Sequence, residues 1–302
     1  MAKNLLVTGA TGKQGGALIS ALLASQSAAE FAIYAVTRNP SSAAAQSLAS
    51  KRNVKVIKGD LNDPEALFKE QGVKFWGVYS VQAIMGQGQS PVTEEKQGIQ
   101  LIDAAISHGH VKQFVYTSAD RGGPKSSSNP TNVPHFISKY HIEKHLVEKA
   151  KGSSMGYTIF RPVAFLENLT NDFAGKGFTA AWRISTQEPL QVVSTQDVGW
   201  FAAQAFINPT SREYANAALT LAGDSLTYTQ AGQVFREKTG QVMPTTYDIM
   251  ARAFLWGVKD LGLMFKWFGT DGFGADVPAL RKMHPDMLTF GDWIEKKSAW
   301  RK

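Results

Sequence analysis

The chain has 302 residues, of which 43% are hydrophobic, 11% aromatic and 19% charged, and this balance excludes a disordered or collagen-like protein. Its length fits one large α/β domain or two smaller domains. The absence of cysteine excludes disulfides, thiolate metal ligands and cysteine nucleophiles, and no metal site is predicted.

The net charge of +7 does not by itself predict a nucleic-acid partner. Lysine and arginine are interleaved with aspartate and glutamate, as in VEKAKG and FREKTG, whereas nucleic-acid binders concentrate positive charge on one face. We therefore expect no direct nucleic-acid partner. The first residues contain too short an apolar run for a signal peptide, and no window is long enough to span a membrane. The prediction is a cytoplasmic protein without a membrane partner, which would also be nuclear if its role is regulatory.

Apolar strand-like segments alternate with amphipathic helical segments through the first half of the chain. The strand NLLVTGA is followed by the helical GGALISALLAS, FAIYAVTRN by SAAAQSLAS, and VKVIKGD by DPEALFKEQ. The alternation continues through FWGVYSVQ, EEKQGIQLIDAAISHG, KQFVYTSA, ISKYHIEKHLVEKA and YTIFRPVAF. Such strands predict a parallel sheet that is covered on both faces, with right-handed crossovers. The predicted fold class is α/β, with a doubly wound parallel Rossmann sheet in residues 1–165.

The pattern changes after Phe165. PLQVVST and NAALTLAGD are typical strands, and TQAGQVFREKTG is a predicted helix that opens at Thr229. The segment MARAFLWGVKDLGLMFKWF is predicted to form an amphipathic helix or helix pair, because charged residues interrupt it. Its aromatic residues are expected in the core, with a substrate wall that includes Trp256 as the alternative. Residues 166–302 are predicted to form a smaller, mainly helical substrate-binding or lid region, with 189–208 returning to the Rossmann domain.

Gly9, Gly12 and Gly15 lie where the first strand turns into the first helix. Such a turn needs a positive φ angle and a backbone without Cβ beside the ligand. The helix start then attracts a pyrophosphate through its N–H groups and dipole. The spacing is G-x-x-G-x-x-G and not the G-x-G-x-x-G of NAD dehydrogenases, yet it stands at the β-to-α junction that the motif requires. We predict that this turn cradles the phosphates of a dinucleotide.

The end of the second strand determines the predicted cofactor. An NAD-specific Rossmann domain carries Asp or Glu there, whereas this chain carries Thr37 and Arg38 in AVTRNP. A guanidinium can bind a 2′-phosphate as a fork, and Lys13 in the glycine turn adds a second positive charge. The predicted cofactor is therefore NADP(H).

Two later strand ends are also expected at the cofactor. Asp60 ends the third strand and is either an adenine-binding carboxylate, with Leu61 beside the ring, or a turn aspartate. Ser80, Val81 and Gln82 end the fourth strand and are expected beneath the pyrophosphate and the nicotinamide ribose.

The segment SKYHIEKHL is expected to be the catalytic helix. Reductases of this architecture pair a tyrosine acid with a lysine one helical turn later, and Tyr140 and Lys144 have that spacing. Extended short-chain dehydrogenases carry S-K-x-x-x-E-x-L at this helix, which makes Lys139 the ribose lysine. Tyr140 is then turned about 100° from Lys139, and the acid position is His135. In this register the catalytic tyrosine is missing.

Six segments, VTGATGKQGGA, VTRNP, FVYTSADRGG, HFISKYHIEKHL, TIFRPVAFLENL and TQDVGWFAAQAF, together resemble the NmrA-like family of atypical short-chain dehydrogenases/reductases. The resemblance covers nearly the whole chain. It implies an NADP(H)-binding Rossmann domain and a smaller C-terminal domain that closes a pocket over the nicotinamide. Family members include transcriptional co-regulators thought to sense nicotinamide redox state and reductases of small metabolites or quinones. Some relatives in secondary-metabolite pathways use the pocket for cyclisation.

The resemblance also assigns residues by motif. It matches Arg38 to the 2′-phosphate, Lys139 to the conserved helix lysine, and the segment from Pro162 to Phe165 to the nicotinamide side. The His-x-x-x-Lys form of the helix is itself familiar in the family. The residues matched to the phosphate loop are Gly9, Thr11, Gly12, Gln14 and Gly15.

The candidate catalytic residues are Lys139, His135 and Ser118. His135 titrates near neutrality and can exchange a proton, with a solvent-facing histidine as the alternative. Lys139 is expected chiefly to bind ribose hydroxyls, and Ser118 stands where related enzymes keep a substrate-orienting serine. Arg121 is the predicted substrate contact at the same strand edge, with a surface ion pair as the alternative. Asn168 completes the predicted substrate region, where its amide is expected to fix the loop backbone.

The predicted function is NADPH-dependent reduction of a small, apolar carbonyl, quinone or imine metabolite. Hydride would come from the nicotinamide, and His135 or an ordered water would supply the proton. One alternative is a non-catalytic NADP(H) redox sensor or transcriptional co-regulator with a regulatory protein partner, which the missing tyrosine favours. Another is a secondary-metabolite enzyme that uses the bound cofactor for non-redox cyclisation. The aromatic C-terminal segment favours a small-molecule substrate as the partner.

Overall fold

A computed structural model describes residues 2–69, 72–83, 86 and 88–301. The chain divides into two compact units, and each is built from three segments. The first unit comprises Met1–Ser118, Ile137–Arg161 and Val198–Leu219, and the second comprises Ala119–Phe136, Pro162–Asp197 and Thr220–Lys302. The sequence predicts a domain boundary between residues 165 and 166 and assigns 189–208 to the Rossmann domain. Both assignments stay predictions.

The first unit is built on a parallel sheet. Its strands are β1 (Lys3–Val7), β2 (Phe31–Thr37), β3 (Val54–Lys58), β4 (Gly77–Ser80), β5 (Gln113–Thr117) and β6 (Gly156–Pro162). With a later strand, β9 (Ala217–Leu221), they form a seven-stranded sheet in the order β3-β2-β1-β4-β5-β6-β9, in which β1 to β6 pair in parallel. The predicted doubly wound Rossmann fold is confirmed.

Helices connect these strands. They are α1 (Lys13–Ala24), α2 (Ala43–Ala49), α3 (Pro64–Lys69), α4 (Pro91–His108), α5 (Pro134–Ala150) and, after a helix of the second unit, α7 (Thr195–Ile207). Ser90 caps α4, since its hydroxyl accepts the amide of Thr93 while the Thr93 hydroxyl accepts the amide of Ser90. The core side chains of this unit include Leu6, Val78, Phe114, Ile142 and Ile159.

The second unit combines a small mixed sheet with helices, as predicted. Strand β8 (Leu190–Val193) pairs in parallel with β7 (Ala164–Phe165) and antiparallel with β10 (Asp224–Leu226). Its helices are α6 (Phe173–Ser185), α8 (Tyr228–Thr239), α9 (Asp248–Gly257), α10 (Lys259–Thr270), α11 (Val277–Met283) and α12 (Phe290–Lys296). The expected start of α8 at Thr229 is wrong, because Thr227 caps the helix by accepting the amide of Gln230.

The apolar aromatic segment of the second unit forms the helix pair α9 and α10, which join at Val258. Phe265, Trp267 and Phe268 are buried in the core of this unit, as expected for aromatic residues there. Trp256 in α9 is not buried, since 89% of its surface is exposed. Within residues 2–69, 72–83, 86 and 88–301, none of the helices has the length and apolar character that crossing a membrane would require.

Candidate functional site

The strand order of the first unit reverses between β1 and β4. Doubly wound sheets bind ligands at the carboxyl ends of their strands, at such a switch point. Thr8 joins the two strand ends here, because its hydroxyl lies 3.0 Å from the Tyr79 carbonyl and accepts the amide of Val81 at 2.9 Å. The edge that would face a ligand is therefore held together by a buried threonine, which sequence patterns did not identify.

The glycine turn occupies this switch point. Gly9 has a φ angle of +57°, and a Cβ there would lie 2.6 Å from Cγ1 of Val81. The amide of Gly12 donates to the Gly9 carbonyl at 2.9 Å, which closes the turn. A Cβ on Gly15 would lie 2.4 Å from the Gly9 oxygen, so α1 packs directly on the turn. Gly9 is thus required by the backbone conformation and Gly15 by the packing.

The N-terminus of α1 has the properties of an anion site. Gly12 is its capping residue and offers no side chain to the first amides, and the first turn contains no acidic residue. Lys13 and Thr11 are exposed beside it. Helix N-termini carry unsatisfied N–H groups and the positive end of the dipole, so this end of α1 is suited to a phosphate.

Two buried amide oxygens at this edge lack a hydrogen-bond donor. They are Oε1 of Gln14, in the first turn of α1, and Oε1 of Gln82, just after β4. The other amide atom of Gln82, Nε2, donates to the Ser80 hydroxyl at 2.8 Å. An orphaned buried acceptor costs about 1–3 kcal/mol, which a donor on a bound ligand would offset. Ribose hydroxyls are such donors, so the residues present fit a dinucleotide.

The adenosine side carries Arg38 and Asp60 at neighbouring strand ends. Arg38 is exposed directly after Thr37, whose hydroxyl accepts the amide of Asn39 at 3.2 Å. The Asp60 carboxylate accepts the amide of Asn62 at 2.9 Å, so it acts as a turn aspartate in this structure. Leu61 is partly buried against the core. The adenine and 2′-phosphate roles of these residues stay predictions.

Lys139 belongs to a buried charged cluster between α4 and α5 in the first unit. Its Nζ donates to Oε1 of Glu94 at 2.6 Å, and the Ser138 hydroxyl donates to Oε2 of Glu94 at 2.5 Å. Glu94 is fully buried, and both of its oxygens are engaged. Lys139 is a hydrogen-bond donor in this pair, since an ammonium carries three N–H groups and no acceptor. That state suits binding of ribose hydroxyls better than acceptance of a proton.

His135, in the first turn of α5, forms a pair with Asp260 of α10 inside the second unit. Its Nδ1 lies 2.6 Å from Oδ2 of Asp260, and its backbone amide donates to Oδ1 at 3.1 Å. Burial raises the pKa of the Asp260 carboxyl, but its hydrogen bonds with His135 and the imidazole charge outweigh burial and hold that pKa below its ordinary value. The expected alternative of a solvent-facing histidine is wrong, because His135 is only 4% exposed.

Arg121 and its neighbour Asp120 organise the loop after β5. Arg121 is fully buried and its guanidinium donates to the carbonyls of Ala119, Ser126 and Asn129. The Asp120 carboxylate accepts hydrogen bonds from five donors. They are the amides of Gly122, Gly123 and Gly274 and the hydroxyls of Ser126 and Thr220. The alternative of a surface ion pair for Arg121 is wrong because the loop carbonyls surround it. Its predicted contact with substrate stays a prediction.

The remaining predicted site residues are Ser118, Pro162, Phe165 and Asn168. Ser118 is buried at the end of β5, and its amide donates to the Phe160 carbonyl at 2.7 Å. In the second unit, Pro162 is buried and Phe165 is half-buried, whereas Asn168 is exposed at the end of a short helical turn. The substrate roles of these residues stay predictions.

The second unit contains a cavity of about 200 Å³ on one side of α10. Its lining is mostly polar and consists of Asn129, Thr131, Asn132, Leu263, Lys266, Trp267, Thr270 and Asp271. The predicted substrate residues do not belong to this lining, and its polarity suits a small apolar substrate poorly.

Sequence reasoning missed two carboxylates that hold predicted site residues. Glu94 stands beside Glu95 in a polar helix start, and nothing in the sequence distinguishes them. Asp260 is one of the charged residues that interrupt the apolar aromatic segment and indicate an amphipathic helix. A lone carboxylate within an apolar aromatic helix was the available signal, since such a group needs a buried partner.

Comparison with known sequences gives the following matches. The sequence profile of the NmrA-like family matches residues 1–281. The NmrA-like family domain-containing oxidoreductase FrzB of Cladobotryum sp is 34% identical over 171 residues, which cover 54% of this chain and 47% of FrzB. The chain therefore matches about half of the length of that relative. The oxidoreductase cpsB of Aspergillus campestris is 26% identical, with 97% of each chain covered.

Solved structures share the fold. Triphenylmethane reductase of Citrobacter sp., complexed with NADP(H), has a TM-score of 0.73 and 20% identity, and the match covers 98% of this chain and 100% of the reductase. NmrA, a negative transcriptional regulator in complex with NADP, has a TM-score of 0.74 and 16% identity, with 98% of this chain and 95% of NmrA covered. An enzyme and a regulator thus have this architecture.

Proposed function

Because this chain belongs to the NmrA-like family, we propose that it binds NADP(H) and reduces a small, apolar carbonyl, quinone or imine metabolite. The observation that carries the proposal is the glycine turn at the β1–β4 switch point, where two buried glutamine oxygens lack donors. The curated relatives FrzB and cpsB are named oxidoreductases, and triphenylmethane reductase was solved with NADP(H). These names support the proposal.

The residues have distinct roles in the proposed reaction. The α1 N-terminus binds the pyrophosphate, Arg38 binds the 2′-phosphate, and Lys139 binds ribose hydroxyls as an ammonium. Bound NADPH supplies the hydride. His135 donates a proton to the substrate oxygen or nitrogen, in place of the tyrosine that related reductases carry, and recovers a proton from solvent.

Arg38→Ala is expected to weaken NADPH binding about 10- to 100-fold and to leave NADH binding unchanged. A charge-assisted hydrogen bond contributes about 1.5–3 kcal/mol, and NADH lacks the phosphate that makes it. Calorimetric titration with NADPH, NADP⁺, NADH and NAD⁺ measures this. Arg52→Ala removes another exposed arginine of the first unit and is the matched control. An equal loss for NADPH and NADH would contradict the assignment of Arg38.

His135→Asn is expected to lower kcat for NADPH-dependent aldehyde reduction about 100- to 10,000-fold, the usual contribution of a positioned proton donor. The loss should be smaller with a quinone such as menadione. A hydroquinone anion is a much weaker base than an alkoxide, so its formation depends less on a proton donor. Tyr140→Phe should retain full activity, since Tyr140 lies outside the favoured register. NADPH oxidation with both acceptors, followed at 340 nm, measures this. A large loss in Tyr140→Phe would instead restore the Y-x-x-x-K register.

A second candidate function is a redox sensor or transcriptional co-regulator. It is favoured by the buried Glu94–Lys139 pair, which commits the lysine to binding, and by the missing tyrosine. NmrA, described as a negative transcriptional regulator, has the same fold. The titration separates the candidates, because a sensor must bind NADPH and NADP⁺ with different affinities. Absence of turnover with every acceptor, together with such a difference, would favour the sensor.

A further inference from the structure

We propose that Asp260 is a positioning residue that fixes the ring orientation and the tautomer of His135. The proposal rests on the proposed function, in which His135 supplies the proton. Asp260 lies in α10, and 125 positions separate the two residues. It acts on the reaction through His135 and not by touching substrate.

The Asp260 carboxylate holds His135 at two points. Oδ2 lies 2.6 Å from Nδ1 of the ring, and Oδ1 accepts from the backbone amide, 3.1 Å away. The first contact sets the rotation of the imidazole, and the second fixes the turn that carries it. The ring is also packed edge-on against Phe136, whose own ring packs against Trp267. Contacts on the carboxylate side and on the aromatic side together define one orientation.

Two helix N-termini favour a negative charge at the position of this carboxylate. Asp260 lies in the first turn of α10, and it accepts an amide from the first turn of α5, which begins at Pro134. The first amides of a helix have no partner within it, so Asp260 caps α5 from a different helix. Negative charge is stabilised at the positive end of each helix dipole. Burial raises the pKa of Asp260, but its hydrogen bonds with His135 and the imidazole charge hold that pKa below its ordinary value.

An ionised carboxylate accepts hydrogen bonds and cannot donate them. The nitrogen that faces Asp260, Nδ1, must therefore carry a hydrogen in both the neutral and the charged imidazole. Proton transfer is confined to Nε2. In aldehyde reduction, hydride adds to the carbonyl carbon, the C=O π pair moves to oxygen, and Nε2 gives its proton to that oxygen. The imidazole returns to its neutral Nδ1–H form and takes its next proton from water.

Asp260 of α10 contacts the ring directly. Lys139 follows one turn later in α5, where Glu94 of α4 balances its charge in an ion pair. The charge of Asp260 therefore acts on the imidazole through direct contact, whereas the charge of Lys139 is engaged by Glu94.

The test uses the full-length protein labelled with ¹⁵N-histidine. The chain has six histidines, and the signals of His135 are assigned by their loss in His135→Asn. Two-dimensional ¹H–¹⁵N spectra recorded across pH report the tautomer and the pKa of each imidazole. In the wild type we expect the Nδ1–H tautomer. In Asp260→Asn we expect that preference to be lost.

Two further variants serve as controls. Asp286→Asn makes the same charge change at an exposed position of the same unit, and it should leave the His135 signals unchanged. Asp260→Glu retains the carboxylate and should restore part of the tautomer preference. The signals of the other five histidines verify that each variant is folded. An Nε2–H tautomer in the wild type, or an unchanged His135 tautomer in Asp260→Asn, would overturn the proposal.

The kinetic measurement is separate from the spectroscopic one. Aldehyde reduction by Asp260→Asn should show a lower kcat at nearly unchanged KM, with a displaced alkaline limb of its pH profile, because a proton donor loses activity as it deprotonates. If the wild type turns over no acceptor, the proposed reductase function fails, while the histidine spectra still decide whether Asp260 positions His135. Full kcat in Asp260→Asn with a wild-type pH profile would overturn the positioning role.

Discussion

Gly15→Ala is expected to weaken NADPH binding by at least about 100-fold, whereas Gly16→Ala is expected to bind NADPH as the wild type does. A Cβ on Gly15 would lie 2.4 Å from the Gly9 oxygen and 2.9 Å from Cα of Ala10. These are backbone atoms, so the turn itself must move. Loss of one or two hydrogen bonds from the turn to a charged phosphate, at about 1.5–3 kcal/mol each, is enough for a loss of this size.

The neighbouring glycine provides the matched control. A Cβ on Gly16 would have its nearest contact with the Ala10 oxygen at 3.6 Å, an ordinary van der Waals distance. Alanine is favoured over glycine within a helix by up to about 1 kcal/mol, so Gly16→Ala should be slightly more stable than the wild type. Calorimetric titration and thermal unfolding measure both effects. Undiminished binding by Gly15→Ala would show that the turn does not hold the cofactor.

The parallel sheet and the glycine turn were predictable because their signals are local. Leu5, Leu6 and Val7 are consecutive apolar residues, and all three are fully buried, which is the pattern of a strand covered on both faces. Gly9 and Gly15 stand within one β-to-α junction, where φ and helix packing depend on nearby residues. A short segment is sufficient to specify such features.

The environments of the charged residues were not predictable in the same way. Arg121 follows the end of a strand, and the sequence predicts a contact with substrate there or, as the alternative, a surface ion pair. The loop instead folds around it and satisfies the guanidinium with carbonyls from three of its residues. Similarly, His135 receives its partner from a helix 125 positions away. Contacts of this kind depend on tertiary packing, which the local pattern does not contain.

Three carboxylates share one role in this protein. Asp120 organises the loop after β5, Asp260 holds His135, and Glu94 holds Lys139. Each accepts hydrogen bonds at both oxygens, which offsets the cost of removing a charge from water. Their common effect is to fix polar groups in buried positions before any ligand binds. Preorganisation of this kind reduces the entropy lost on binding.

Glu94→Gln is expected to lower the free energy of unfolding by about 3–5 kcal/mol, because it leaves the Lys139 ammonium buried without its anion. The side chain of Glu94 is fully buried and that of Lys139 is 10% exposed, so solvent cannot replace the lost partner. Urea unfolding at neutral pH measures the change. Added salt should alter it little, since a buried pair is weakly screened.

Glu95→Gln tests whether this loss depends on burial. Glu95 is the next residue in α4 and pairs with His141 at 3.0 Å at a half-exposed position, so its variant should stay within about 0.5 kcal/mol of the wild type. The double variant Glu94→Gln/Lys139→Met removes the unpaired ammonium and should recover much of the stability. Equal effects of Glu94→Gln and Glu95→Gln would mean that the buried pair is not a stabilising contact. A loss that persists in the double variant would assign the effect to Ser138, whose hydroxyl also donates to Glu94.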